Sequence, residues 1–363
     1  MTAPATAPPA PSRIRSLLTS VRSSWRQWPA VWAFTVLCLI GLFLLLRDFG
    51  PVIRVFPGSA LLALVLLAVT LGIGEALLSR LRPFRAPPPL WAWSGILWGA
   101  TAAAGCAVTA NTGLQGVWYR TAGIGFGAEW AAALTAPLNE ELLKVCGVAL
   151  IALAARPLVR GPLDGFFLGA FTGLGFQAME NWTYAMNALL LGGGVDGTTD
   201  IAQSFVTRVG VTGLGSHWAM TAVSGTGVGI LLAHDDRPMR RRIAPAAGCL
   251  LTAMGMHWLF DSPLLGSTGG LVAKVAVNFL IALGFALVLR HRARRRARAF
   301  LLSPGTPLSI DLLTRRSRRD ALLRLEPARR PAAEQRASAY LGVVEEQAVL
   351  WGRPSGPSHT GDP

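Results

Sequence analysis

Charge is scarce in this sequence, and lysine scarcer still. Asp, Glu, Lys and Arg make up 15% of the 363 residues, where soluble domains carry about a quarter. Lys144 and Lys274 are the only lysines. The deficit is local. Apolar runs of near-membrane-spanning length recur between residues 29 and 289, and the charges collect between them and in the tails. A string of soluble globular domains is therefore excluded. Cysteine is sparse too. Cys38, Cys106, Cys146 and Cys249 all fall inside apolar runs, so they are expected as small buried hydrophobes, and no pair has the spacing of a thiolate metal site. The net charge is +15 and almost wholly arginine. These arginines flank the apolar runs, which is the footprint of loops facing anionic lipid and argues against a nucleic-acid partner.

The runs predict an all-α, polytopic transmembrane bundle of about eight spans: Pro29–Leu46, Gly58–Leu78, Leu90–Ala110, Trp130–Ala154, Leu163–Ala185, Val206–Ala233, Ile243–Asp261 and Leu271–Leu289. Residues 1–28 read as a disordered cytoplasmic tail, 29–289 as the membrane domain, and 290–363 as a basic cytoplasmic C-terminal tail with amphipathic helices near Ile310–Leu325 and Ala332–Leu350. Arg80, Arg82, Arg85, Arg156, Arg160, Arg237 and Arg240–Arg242 share a side with both tails. The opposite connectors hold only Arg47, Arg54, Arg120 and Arg208. The positive-inside rule then puts both termini in the cytoplasm, as an even number of spans also requires. Gly165, Gly169 and Gly173 form a GxxxGxxxG face suited to close helix packing. The connector Asn187–Gln203, with Gly192-Gly193-Gly194, is expected to be flexible and to lie on the outer side, as a lid or a substrate entry.

Ionisable groups are costly inside a bilayer and usually serve a site or a pathway. The deep ones fall on four successive runs: Glu140, Glu141 and Lys144; Glu180 and Asn181; His217 and Thr221; His257 and Asp261. Glu140 and Lys144 are four residues apart and share a helix face, whereas Glu141 is turned by about 100°. At 1.5 Å per residue, Glu140 and His217 lie about 15 Å below the outer boundary, and Glu180 and His257 about 8 Å below it. Each residue also has a plain structural use: Glu140, Glu141 and Lys144 as an ion pair with a spare acid, Glu180 or a single histidine as an interhelical hydrogen bond. Scattered structural polar groups would not be expected at one level on four helices. Asp261, four residues after His257, has the spacing of a group that orients the imidazole. Lys274 is expected to snorkel from a helix end. An ion- or proton-coupled transporter is the alternative from another class. Such proteins often carry internal repeats with paired broken helices, and the polar residues here lie only in the second half.

Taken together, Glu140-Glu141-x-x-Lys144, Phe176-x-x-x-Glu180-Asn181, His217-x-x-x-Thr221 and His257-x-x-x-Asp261 resemble the PrsW family of intramembrane proteases, within the CAAX-protease and bacteriocin-processing superfamily. The resemblance covers about residues 130–262 and implies hydrolysis of membrane-anchored protein substrates, such as single-span anti-sigma factors, in a bacterial plasma membrane. It implies that Glu140 activates water, that Glu141 and Lys144 structure their helix, and that Glu180, His217 and His257 complete the catalytic set, with Asn181 and Asp261 in support. The chain departs from the prenyl-protease branch at Glu180 and Asp261, which makes a prenylated substrate doubtful. Two mechanisms stay open: a Zn²⁺ held by His217, His257 and Glu180, or direct activation of water by Glu140 with no metal. Anionic lipid at the cytoplasmic face is the other expected partner.

Overall fold

Helices dominate because most of the chain offers no side-chain partner for its backbone polar groups, and in an apolar medium only helical hydrogen bonding satisfies them locally. The computed structural model describes residues 28–84, 87–155, 159–233, 238–302 and 315–350. The tail expected over 1–28 thus lies outside the described residues except for Trp28, as do Arg85, Arg156 and Arg237.

In chain order the elements are α1 (Trp28–Val55), α2 (Pro57–Leu81), α3 (Pro89–Trp98), α4 (Ala104–Thr121), α5 (Ile124–Ala154), α6 (Pro162–Leu191), α7 (Gly197–Phe205), α8 (His217–Leu231), α9 (Arg240–Asp261), α10 (Thr268–Leu301), α11 (Arg315–Leu323) and α12 (Arg330–Leu350). A π-helical turn, Gly99–Ala103, joins α3 to α4, and no strand occurs among the described residues. Among the described residues, four helices are long and apolar enough to cross a membrane by length and composition: α1, α2, α9 and α10. They are also mostly uncovered by protein. The other expected spans lie on less uniformly apolar helices. Helix α5 carries Glu140, Glu141 and Lys144 within two turns, and α8 has only 15 residues. The sixth expected span, Val206–Ala233, is not one helix. Val206–Val211 is a π-helical turn and Gly213–Gly215 a 3₁₀ turn, so α8 starts at His217.

Helix α6 is the axis of the bundle, and every residue from Asp164 to Ala178 is buried. Such burial on all sides needs neighbours that approach closely, and glycine supplies the room. A Cβ on Gly165, Gly169 or Gly173 would stand 2.3 Å from the Gly225 carbonyl oxygen, 2.1 Å from that of Thr221 and 2.3 Å from that of His217. The GxxxGxxxG face therefore presses α6 directly onto the backbone of α8, with His217 at its upper end. On the other side of α6, Gly175 lies against the backbone of α3 at Ile96. The Trp98 indole fills the notch left by Gly147 on α5 and donates to the Leu143 carbonyl at 2.9 Å.

Four expectations need correction. The Asn187–Gln203 connector is largely helical: α6 runs on to Leu191, Gly193 and Gly194 turn the chain at positive φ, and the Asp196 side chain caps α7 through the Thr199 amide. Lys274 does not snorkel; it is buried and donates to the Ser262 carbonyl at 2.5 Å, since the α9–α10 turn leaves that oxygen without a helical donor. Cys146 is exposed on the outward side of α5, although all four cysteines are free. The C-terminal segment is not only a surface tail. Helix α12 docks on the bundle through Leu341 and Val344, which pack with Phe84, Ala297 and Leu301. Beside them Glu345 pairs with Arg82 at 2.7 Å and Arg160 at 3.0 Å, and both arginines also hold Asp164.

Candidate active site

The glycine seam and the Trp98 notch bring the motif residues of α5, α6, α8 and α9 to one point. Glu140, Glu141, Lys144, His217 and His257 are all at most 4% exposed. Unpaired, these groups would be strongly unfavourable there, so their partners define the site.

Each histidine is held at one ring nitrogen by a carboxylate. Nε2 of His217 meets Glu180 Oε2 at 2.7 Å, and Nδ1 of His257 meets Glu141 Oε1 at 3.1 Å. Both rings thereby present their remaining nitrogen to Glu140. Its Oε2 lies 3.7 Å from Nδ1 of His217 and 3.6 Å from Nε2 of His257. That oxygen is buried and has no hydrogen-bond partner. The other oxygen, Oε1, accepts from Asn111 Nδ2 at 2.9 Å. Glu140, His217 and His257 form a group whose ligand atoms all lie within 4.8 Å of one another, close enough to share one metal ion.

The remaining residues brace this centre. Lys144 Nζ sits 2.6 Å from Glu141, 3.1 Å from His217 Nδ1 and 3.7 Å from Glu140. It also lies over the Phe176 ring, which packs against His217. Asp261 lies 3.4 Å from Nε2 of His257, on the Glu140 side of the ring, so the contact that orients that ring at Nδ1 comes from Glu141. Glu180, a ligand in one of the two mechanisms open from sequence, meets Nε2 of His217, on the far side of that ring from Glu140. Asn181 faces Arg208, accepting from its Nε at 2.8 Å, and Thr221 is buried with no partner for its hydroxyl.

Three contributors were missed from sequence. Arg208 was counted as a connector charge, yet its guanidinium pairs with Glu180 and stacks over Tyr184, 3.9 Å from the ring centroid. The π-helical turn and the glycines after it turn it inward. Its sequence signal was a single arginine inside an apolar stretch. Asn111 on α4 holds Glu140 and is itself held by Asn139 at 3.1 Å; it stands one residue beyond the third apolar run. Asn278 on α10 is fully buried and donates to the Met256 carbonyl, the residue before His257.

Imidazoles backed by carboxylates and aimed at a third carboxylate, inside a bundle faced with apolar helices, are the equipment of a membrane-embedded hydrolase. The model for the PrsW family intramembrane metalloprotease matches residues 87–301, more than half of the chain. The chain belongs to that family: it is an integral membrane protein and a peptide hydrolase. No curated protein and no solved structure gives a significant match to it.

Proposed function

We propose that Glu140, His217 and His257 are the reaction centre and that the substrate is a membrane-anchored protein, cut in or just beyond the outer part of its span. The observation that carries this reading is the buried, unpartnered Oε2 of Glu140, set between ring nitrogens at 3.6 and 3.7 Å. In a site without metal, Glu140 accepts the proton of the attacking water at this oxygen, while Asn111 on Oε1 fixes the carboxylate plane. Glu180 and Glu141 hold the two imidazoles by their far nitrogens, so neither ring turns away as charge develops. Lys144 keeps the fully buried Glu141 paired. Arg208 and Asn181 position Glu180 from the outer side.

A divalent metal fits this donor set. Ligand atoms about 2.1 Å from a tetrahedral ion stand about 3.4 Å apart, close to the separations found, and Glu140 supplies an oxygen lacking a partner. Glu140, His217 and His257 would hold the ion, Glu140 then acting at Oε2 as ligand in place of base, with Lys144 keeping its shortest contact, to Glu141. Two imidazoles and a carboxylate favour Zn²⁺. An ion there would polarise water and make it a nucleophile at neutral pH.

Arginine alternation supports two cytoplasmic termini, with eight crossings of a bacterial plasma membrane and the basic end of α10 against anionic lipid. The site then lies in the outer half of the bilayer. The test is incubation of the purified protein with single-span substrates in proteoliposomes, beside a Glu140→Gln control, with the cut located by mass spectrometry. Cleavage that needs Glu140 and falls in the outer part of the span supports the reading; a cut on the cytoplasmic side overturns it.

A further inference from the structure

A cavity of about 730 Å³ opens between α6, α8, α9 and α10, toward their arginine-rich ends. It is within the size of sites that enclose small molecules, about 300–1,000 Å³. Toward the reaction centre, Met220, Val223, Ala253, Met256 and Ala282 pack as an apolar cluster. Ile230 of α8, Cys249 of α9, and Leu280, Phe285 and Val288 of α10 form apolar walls. Pro245, Leu280 and Val288 on the rim are exposed, so the cavity opens sideways between α9 and α10, where the surrounding medium is hydrocarbon.

The other end is charged. Arg160, Asp164 and Glu345 reach it, but with Arg82 they form a cluster of two positive and two negative charges that balances itself. Arg292 and Arg296 also line the cavity. They lie four residues apart on one face of α10, are exposed, and have no ion-pair partner among the described residues. The mouth therefore carries a net positive charge from these two side chains. From Leu280 to Arg292 the helix rises about 18 Å, comparable with the roughly 15 Å of hydrocarbon in one leaflet.

We propose that this cavity binds one anionic phospholipid of the cytoplasmic leaflet, with an acyl chain between α9 and α10 and the phosphate on Arg292 and Arg296. The occupant must be apolar along its length, enter from the side and end in an anion, which selects a lipid over a water-soluble phosphate. The docked helix α12, through Glu345, forms part of the headgroup's surroundings. Only the choice of leaflet rests on the topology proposed above, and binding to detergent-purified protein tests the site without reference to orientation.

The experiment is native mass spectrometry of the full chain titrated with phosphatidylglycerol or with phosphatidylcholine of the same acyl chains. We expect one tightly held phosphatidylglycerol, retained at least tenfold better than phosphatidylcholine. The Arg292→Ala/Arg296→Ala pair should lose that preference, whereas Arg295→Ala/Arg298→Ala, in the same basic run but off the cavity, should keep it. Gly284→Phe should abolish retention: Gly284 lines the cavity, and a Cβ there meets nothing within 4 Å, so the ring has room to fill the space without forcing the helices apart. Equal retention of the two lipids, equal losses in both arginine pairs, or undiminished binding in Gly284→Phe would each overturn the proposal. Undiminished lipid binding with lost proteolysis in Gly284→Phe would assign the cavity to the substrate's own helix instead.

Discussion

Replacing Glu140 by glutamine separates chemistry from folding at one position. The amide keeps the size of the side chain, and its carbonyl can still accept from Asn111, which now bonds Oε1 at 2.9 Å. Its NH₂ would occupy the place of the unpartnered Oε2 and could donate toward the ring nitrogens at 3.6 and 3.7 Å. Lys144 loses only its longer contact, at 3.7 Å, and retains Glu141 at 2.6 Å. No buried charge is stranded, so the thermal midpoint should move by a few degrees at most. The proton acceptor is gone, and general-base catalysis contributes about 10²–10⁴ in rate, or about 3–5 kcal/mol of barrier. The assay is initial-rate proteolysis of a single-span substrate in proteoliposomes, with folded yield and metal content measured on the same preparation. Near-normal proteolysis would refute the assignment of Glu140 and with it the mechanism. Metal content tells ligand from base: a protein that has lost its metal used Glu140 as a ligand, and one that keeps it used Glu140 as the base.

Arg208→Ala should lower activity about 10–100-fold, the usual cost of losing a group that orients a catalytic side chain. Arg208→Lys should restore little of it, because one ammonium cannot pair with Glu180, bond Asn181 and stack on Tyr184 at once; full activity in Arg208→Ala would refute the role. Lys144→Ala leaves the fully buried Glu141 with its His257 contact alone and should cost about 3 kcal/mol in stability, the low end for breaking a buried pair, read as a lower thermal midpoint that added Glu141→Gln partly restores. Gly169→Val should prevent folded accumulation, because its Cβ would lie 2.1 Å from the Thr221 carbonyl oxygen; a normal yield in detergent extracts would contradict the packing argument. Alkaline phosphatase fused after Leu289 should be inactive, and activity there would overturn the proposed orientation.

Helical class, membrane residence and the residues that meet at the site were legible because each leaves a local mark. Apolar runs have a characteristic length, and ionisable groups inside them are rare enough to stand out. The glycine face was legible for the same reason: three small residues at helical spacing constrain what can pack on them. What the sequence did not show is which group touches which. Glu180 and Glu140 look alike on neighbouring runs, and only the packing of α6 on α8 turns the former behind His217 and leaves the latter between the rings. Asn111 was hidden because it sits just past the end of an apolar run, where a polar residue is unremarked, and Arg208 because its place near the start of one reads as a connector charge. Glu345 pairs with Arg82 across 263 positions of chain, and nothing in the local pattern of a charged tail announces such a partner.

The seam between α6 and α8 bears on how mutational data for this chain should be interpreted. Gly165, Gly169 and Gly173 admit no added carbon, because the facing backbone lies within 2.3 Å of each would-be Cβ. A saturation screen scored by proteolysis will therefore rank them beside Glu140 and the two histidines, and a map of intolerant positions will show one continuous hot stripe along α6. The glycines of that stripe report the packing of α6 on α8. Scoring the same library for surface accumulation as well would divide the stripe, with the glycines failing both screens and Glu140 failing only one.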